Sequence, residues 1–193
     1  IDRNAIRSNN ALVYITPKLF DSVTVNMQHF RGEGTGVEAT DDNGTGSGVR
    51  VSYDKGPFSA AAAYINTKFA AGDAIYRDIA GAYNFGPVRL AFNANRNQQA
   101  ALKQKGYLIG LTAPIGATEL KASYSVFRAN TAGDPKASKI ALGVVHNLSR
   151  RTAVYGTVAR ISNDNGAAYA FTGATTAANT SGRAAEVGIR HNF

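Results

Sequence analysis

Cysteine is missing from all 193 residues, which excludes disulfide scaffolds and thiolate-held metals and suits passage through an oxidising compartment. Proline is scarce as well, at 5 residues against 20 Gly, 9 Tyr and 9 Phe. No long stretch carries apolar residues at helical spacing, and short alternating segments recur in their place, which predicts an all-β chain. Long apolar runs are lacking too. The longest, Phe58 to Ile65 with Ser59 tolerated, falls far short of the ~20 residues that a membrane-crossing helix needs. A mean hydropathy of -0.19 does not argue against a membrane location, because strands that alternate lipid-facing with water-facing residues average out.

Catalytic groupings are equally sparse. His29, His146 and His191 stand far apart with neither Cys nor HExxH-type spacing, and they read as interfacial or strand-end polar groups rather than metal ligands. Gly44-Thr-Gly-Ser-Gly48 lacks the Lys-Ser/Thr and the helix of a phosphate loop. Asp41-Asp-Asn-Gly44 lacks the spaced ligands of a calcium loop, and no serine has an ordered His and Asp beside it in sequence. The expectation is therefore no enzyme, no metal and no cofactor.

What the chain does have is alternation. In the last ten residues Phe193, His191, Ile189, Val187 and Ala185 share one face, with Asn192, Arg190, Gly188 and Glu186 on the other. A terminal aromatic, Phe193, closing such a strand is how a transmembrane β-barrel ends, although an edge strand of a soluble sandwich would alternate in the same way. About ten further strands precede it: Asn10 to Thr16, stopped by Pro17; Ser22 to Phe30; Gly48 to Asp54; Phe58 to Lys68; Ile75 to Phe85; Val88 to Asn95; Gly106 to Ile115; Thr118 to Arg128; Ser138 to Leu148; and Thr152 to Ser162. Tight turns at Lys55, Gly86, Gly116 and Ser149 alternate with longer polar loops that start at Arg31, Ala70, Arg96, Ala129 and Asn163. Sorting connections by length in this way belongs to an up-and-down barrel with short turns at one end and long loops at the other. Tyr53, Phe58, Tyr83, Phe85, Tyr124 and Tyr155 read as an aromatic girdle beside the turns. No composition break divides the chain, so residues 1–193 are expected to form a single domain.

Several stretches resemble one family. Arg7-Ser-Asn-Asn-Ala-Leu-Val-Tyr-Ile-Thr-Pro17, Tyr83-Asn-Phe-Gly-Pro87, His146-Asn-Leu-Ser-Arg-Arg-Thr-Ala-Val-Tyr155 and the terminal Gly188-Ile-Arg-His-Asn-Phe193 are similar, in order and spacing, to the trimeric general porins of the β-proteobacterial and neisserial type. The resemblance implies an antiparallel transmembrane barrel in the Gram-negative outer membrane. It also implies a homotrimer whose apolar side chains meet lipid and neighbouring barrels, and passive passage of small hydrophilic solutes. Porins of this kind have roughly sixteen strands. With about eleven here, and Ile1 carrying neither an initiating Met nor an apolar leader, the chain is expected to be the C-terminal part of such a barrel. The first strands and the pore loop would then be missing. Val13 and Ile15 depart from the pattern, since they fall on the lumen face where the family tends to be polar.

The formal charge of +8, with a pI of about 9.8, permits nucleic acid, an anionic membrane surface or small anions as partners. The alternation directs Arg50, Arg89, Lys121, Arg160 and Arg190 into the lumen, against Asp54, Asp78, Glu119 and Glu186. Arg96, Lys103, Lys105, Arg128, Lys136 and Lys139 add a basic rim, opposed by a loop with Glu33, Glu38, Asp41 and Asp42. A basic rim and lumen predict anion preference, because a narrow low-dielectric channel focuses the field of its fixed charges. Arg7, on the family's strand next to the pore loop, and Arg50, near mid-wall, are the candidates for the constriction, with Arg3 third. An exposed or interfacial arginine is the plain alternative for each. The competing class, a basic soluble β-domain that binds nucleic acid, needs aromatics interleaved with Lys and Arg on one face. Here the aromatics fall mainly opposite the charges, so no nucleic-acid partner is expected.

Overall fold

The computed structural model describes residues 9–33 and 42–193. Among them the chain forms eleven strands and no helix: β1 (Ala11–Ile15), β2 (Val23–Phe30), β3 (Gly46–Lys55), β4 (Phe58–Thr67), β5 (Ala74–Asn84), β6 (Arg89–Gln99), β7 (Leu102–Ile115), β8 (Thr118–Ala129), β9 (Lys136–Asn147), β10 (Thr152–Asp164) and β11 (Gly182–His191). The strands are antiparallel, and each is hydrogen-bonded to its sequence neighbours.

Two compact units are distinguished. One comprises Ile1–Gly81 and Asn93–Gly106, the other Ala82–Phe92 and Tyr107–Phe193. In the first, register fixes the faces. Val13 stands opposite Gln28, Asn26 opposite Arg50, and Arg50 opposite Ala63, so these residues share one side of the sheet. The other side carries Val25 opposite Val51 and Val49 opposite Tyr64. Val13 and Ile15 thus do face the polar side, as the alternation placed them. The β3–β4 hairpin closes over two residues. Gly56 has a φ of 58° and is followed by Pro57, the arrangement of a type II′ turn, because a turn with positive φ at both central positions would exclude proline.

The second unit repeats the pattern. Lys121 faces Gly143, Gly143 faces Thr157, and Thr157 faces Glu186 along one side. Ala122 faces Leu142, Leu142 faces Val158, and Val158 faces Ala185 along the other. Aromatic pairs flank the tight turns: Tyr53 and Phe58 with centroids 5.9 Å apart in the first unit, Tyr83 and Phe85 at 4.6 Å in the second. Tyr124 does not join them, since it pairs with Ile140 in mid-strand.

Two expectations change. The stretch from Arg96 to Lys105 is not a loop: β6 runs to Gln99, Ala100 turns the chain at a φ of 48°, and β7 starts at Leu102. The sequence conceals this because the residues there are mostly polar on both faces of the strands, so the apolar alternation that marks a strand disappears. Strand β10 likewise extends to Asp164.

No ordinary core exists. Among the described residues only one large side chain, Ile161 at 1% exposure, is fully buried. Apolar side chains on the second face lie open instead, for example Leu142 at 52% and Val187 at 86%. A soluble monomer rarely exposes so continuous an apolar surface.

Candidate functional site

The candidate functional surface is the polar face. In the first unit it forms a recess of about 880 Å³ whose wall includes Gln28, Arg50, Asp78, Asn95 and Asn97. Strand β3 projects Arg50 into it by alternation with Gly48 and Ser52, and the small Ala63 directly opposite leaves the guanidinium room. Asp78 accepts a hydrogen bond from Asn93 Nδ2 at 2.7 Å. Among the described residues Arg50 has no ion-pair partner, so its field is uncancelled by any direct contact.

In the second unit Lys121 Nζ lies 2.7 Å from Glu119 Oε1, two residues away along β8. That contact offsets much of the lysine's positive field. Arg89 alternates with Ala91, which lines the same shallow groove as Lys121. Arg190 stands opposite Ala153 near the turn end of β11. Glu186 accepts a 3.0 Å hydrogen bond from the Tyr155 hydroxyl.

One predicted lumen residue is on the wrong side. Arg160 is paired with Ile140 on β9 and Arg183 on β11, which places it on the apolar face with Val158. The cause is Tyr155. Read as an outward girdle aromatic, it sets the phase of β10 so that Arg160 points inward. Tyr155 in fact faces the polar side, its ring filling the space over Gly188, and the whole strand is turned over. Lys139 takes the place that Arg160 loses: paired with Ser125 and Ile161, it joins the polar face. The outward run Ile140, Leu142, Val144 implies this, since Lys139 lies within the expected strand Ser138 to Leu148 and alternates with that run. Arg3 and Arg7, with Glu38 and Asp41, lie outside the described residues.

Sequence reasoning also missed a pin for the long loop at 165–181. Asn163, at 4% exposure, donates from Nδ2 to Tyr169 O at 2.9 Å and Thr180 O at 2.8 Å, and its Oδ1 accepts from Tyr169 N at 3.0 Å. Phe127 packs edge-on to the Tyr169 ring, with centroids 4.9 Å apart. Phe127 and Asn163 both face the polar side in register with Ala137, so the start of the loop is drawn toward that side.

A family model described as Gram-negative porin matches residues 1–166. The chain belongs to the Gram-negative porin family. The porin is 34% identical, over its whole length, to outer membrane porin protein 32 of Delftia acidovorans, of which it covers 58%. It superposes on an anion-selective porin from Comamonas acidovorans with a TM-score of 0.86 and 31% identity, covering 96% of this chain and 60% of that one. OmpF of Salmonella typhi, solved with daunomycin, shares the fold at a TM-score of 0.72 and 17% identity, covering 95% of this chain and 62% of the other. The chain therefore spans somewhat under two thirds of these relatives. As a Gram-negative porin it is an integral β-structure of the outer membrane.

Proposed function

We propose that this chain supplies part of the wall of a water-filled channel through which small hydrophilic solutes diffuse, with a preference for anions. The observation that carries the reading is the separation of faces. Ionisable and amide side chains around Arg50 occupy one side of the sheet, and aliphatic and aromatic side chains occupy the other. A soluble sheet would cover its apolar face with a second layer, whereas here that face is exposed, as a sheet between lipid and water requires. Five basic residues (Arg50, Arg89, Lys121, Lys139, Arg190) and four acidic ones (Asp54, Asp78, Glu119, Glu186) occupy the polar face. The balance is close, with the basic residues of the strands one ahead. The similar Comamonas porin is described as anion-selective, which supports the same sign here.

The remaining inferences follow from family membership. The channel performs no chemical turnover and needs no cofactor. The chain forms the C-terminal portion of one barrel domain, three copies of which assemble. The test is conductance. Detergent-purified protein carrying this chain, added to a planar lipid bilayer, is expected to give discrete, long-lived current steps. Folded β-rich material that yields none contradicts the channel reading.

A further inference from the structure

On the lipid-exposed face of the second unit, the two ends of the strands are bordered differently. At the turn end the outward faces of the strands end in threonine–histidine pairs, with Arg150 and Arg151 beyond them in the turn. Thr118 meets His146 Nδ1 at 2.9 Å, and Thr152 meets His191 Nδ1 at 2.9 Å. At the loop end the border is cationic. The outward series of β10 passes from Val154 and Val158 to Arg160, and that of β11 from Val187 and Ala185 to Arg183.

Arg160 and Arg183 are directly opposite each other in register, both exposed, and among the described residues neither has an ion-pair or hydrogen-bond partner. Like charges facing each other across an antiparallel pair are destabilising unless an anion stands between them. Lys136, one strand away, has Asp164 opposite it, whereas no acid faces the two arginines in register. Below them opens a groove of about 450 Å³, walled by Ile140, Leu142, Val158 and Ala185 and roofed by the arginines. Arg77 in the other unit is different, because its guanidinium lies over the Tyr64 ring at 5.6 Å.

We propose that this groove is the docking site for one phosphorylated lipid of the outer leaflet, the long-loop end of such a barrel being the external one. Its phosphate sits between Arg160 and Arg183, and an acyl chain runs down Leu142, Val158 and Ala185. Guanidinium groups match phosphate with paired, charge-assisted hydrogen bonds. The apolar walls fit a hydrocarbon chain and would give nothing to a free phosphate ion. The inference rests on the porin reading, because only a membrane-spanning sheet brings this groove to lipid.

Native mass spectrometry of the detergent-solubilised protein tests it, with monophosphorylated lipid A and its dephosphorylated form as probes. The unmodified protein is expected to retain the phosphorylated probe at least tenfold better. Arg160→Gln/Arg183→Gln is expected to lose that preference while single-channel conductance stays unchanged, and Arg160→Lys/Arg183→Lys is expected to keep part of it. Equal retention of the two probes by the unmodified protein overturns the proposal, as does undiminished retention by the glutamine pair. Competition by millimolar inorganic phosphate alone would point to a free-ion site and also overturn it. So would a groove occupied by a second copy, seen as loss of subunit association in the glutamine pair with lipid retention intact. Current steps that persist while lipid preference is absent sink this inference alone, whereas absence of steps sinks the channel reading beneath it.

Discussion

The Tyr155 hydroxyl donates to Glu186 Oε1 across 3.0 Å, tying β10 to β11 on the polar face. The tyrosine ring reaches Glu186 by lying flat over Gly188, where a Cβ would run into the ring's own atoms. A missing side chain on the last strand and a large one on its neighbour therefore form one packing unit, and this unit sets the phase of β10.

Gly188→Val forces the ring off its site and is expected to destabilise the folded protein by about 1–3 kcal/mol, the usual cost of overpacking. Urea unfolding in detergent micelles, followed by circular dichroism, reads the change. In a Tyr155→Ala background the same substitution should cost much less, since nothing remains to collide with. Equal costs in the two backgrounds would show that the ring is not the constraint.

Leu142 and Ala141 are sequence neighbours on opposite faces, at the middle of β9. Leu142→Arg sets a charge in lipid and is expected to cost roughly 2–4 kcal/mol, whereas Ala141→Arg, on the watered side, should cost little. Folding into vesicles and titration with denaturant compares them. If the alanine variant suffers more, the two faces have been exchanged.

Asn163→Ala removes two hydrogen bonds donated to loop carbonyls and one accepted from Tyr169 N. Leaving those groups without their partners costs roughly 1–3 kcal/mol locally. Limited proteolysis should then cut between residues 165 and 181 several-fold faster, with the strands intact. An unchanged cleavage rate would mean that the loop is held without Asn163, by the Phe127–Tyr169 contact and the Gly166–Asn179 hydrogen bond.

Most of the fold is legible in the sequence because a sheet between lipid and water enforces period-two patterning wherever the apolar band runs. Strands such as β2 and β8 show it directly. Two kinds of position escape. Strand ends beyond the band, such as Arg96 to Gln99, carry polar residues on both faces and so show no apolar pattern. Phase is also ambiguous where a strand offers an aromatic on one face and a charge on the other: Tyr155 was the natural choice for the lipid side, and only its partner Gly188, about thirty residues away, shows otherwise. Arg50 was legible because Val49 and Val51 flank it and fix its direction. Nothing in the i, i+2 spacing of Glu119 and Lys121 marks the ion pair they form.

The central claim is that the polar face favours anions and that Arg50 contributes an uncancelled charge. It is tested by the zero-current potential across a planar bilayer holding the protein, with a KCl gradient at low ionic strength, where screening is weak. The account predicts a potential directed toward the chloride equilibrium. Arg50→Glu should reduce or reverse it, and Lys121→Gln should move it less, because Glu119 already offsets that lysine. A potassium-directed potential in the unmodified protein, or one that Arg50→Glu leaves unmoved, would contradict it.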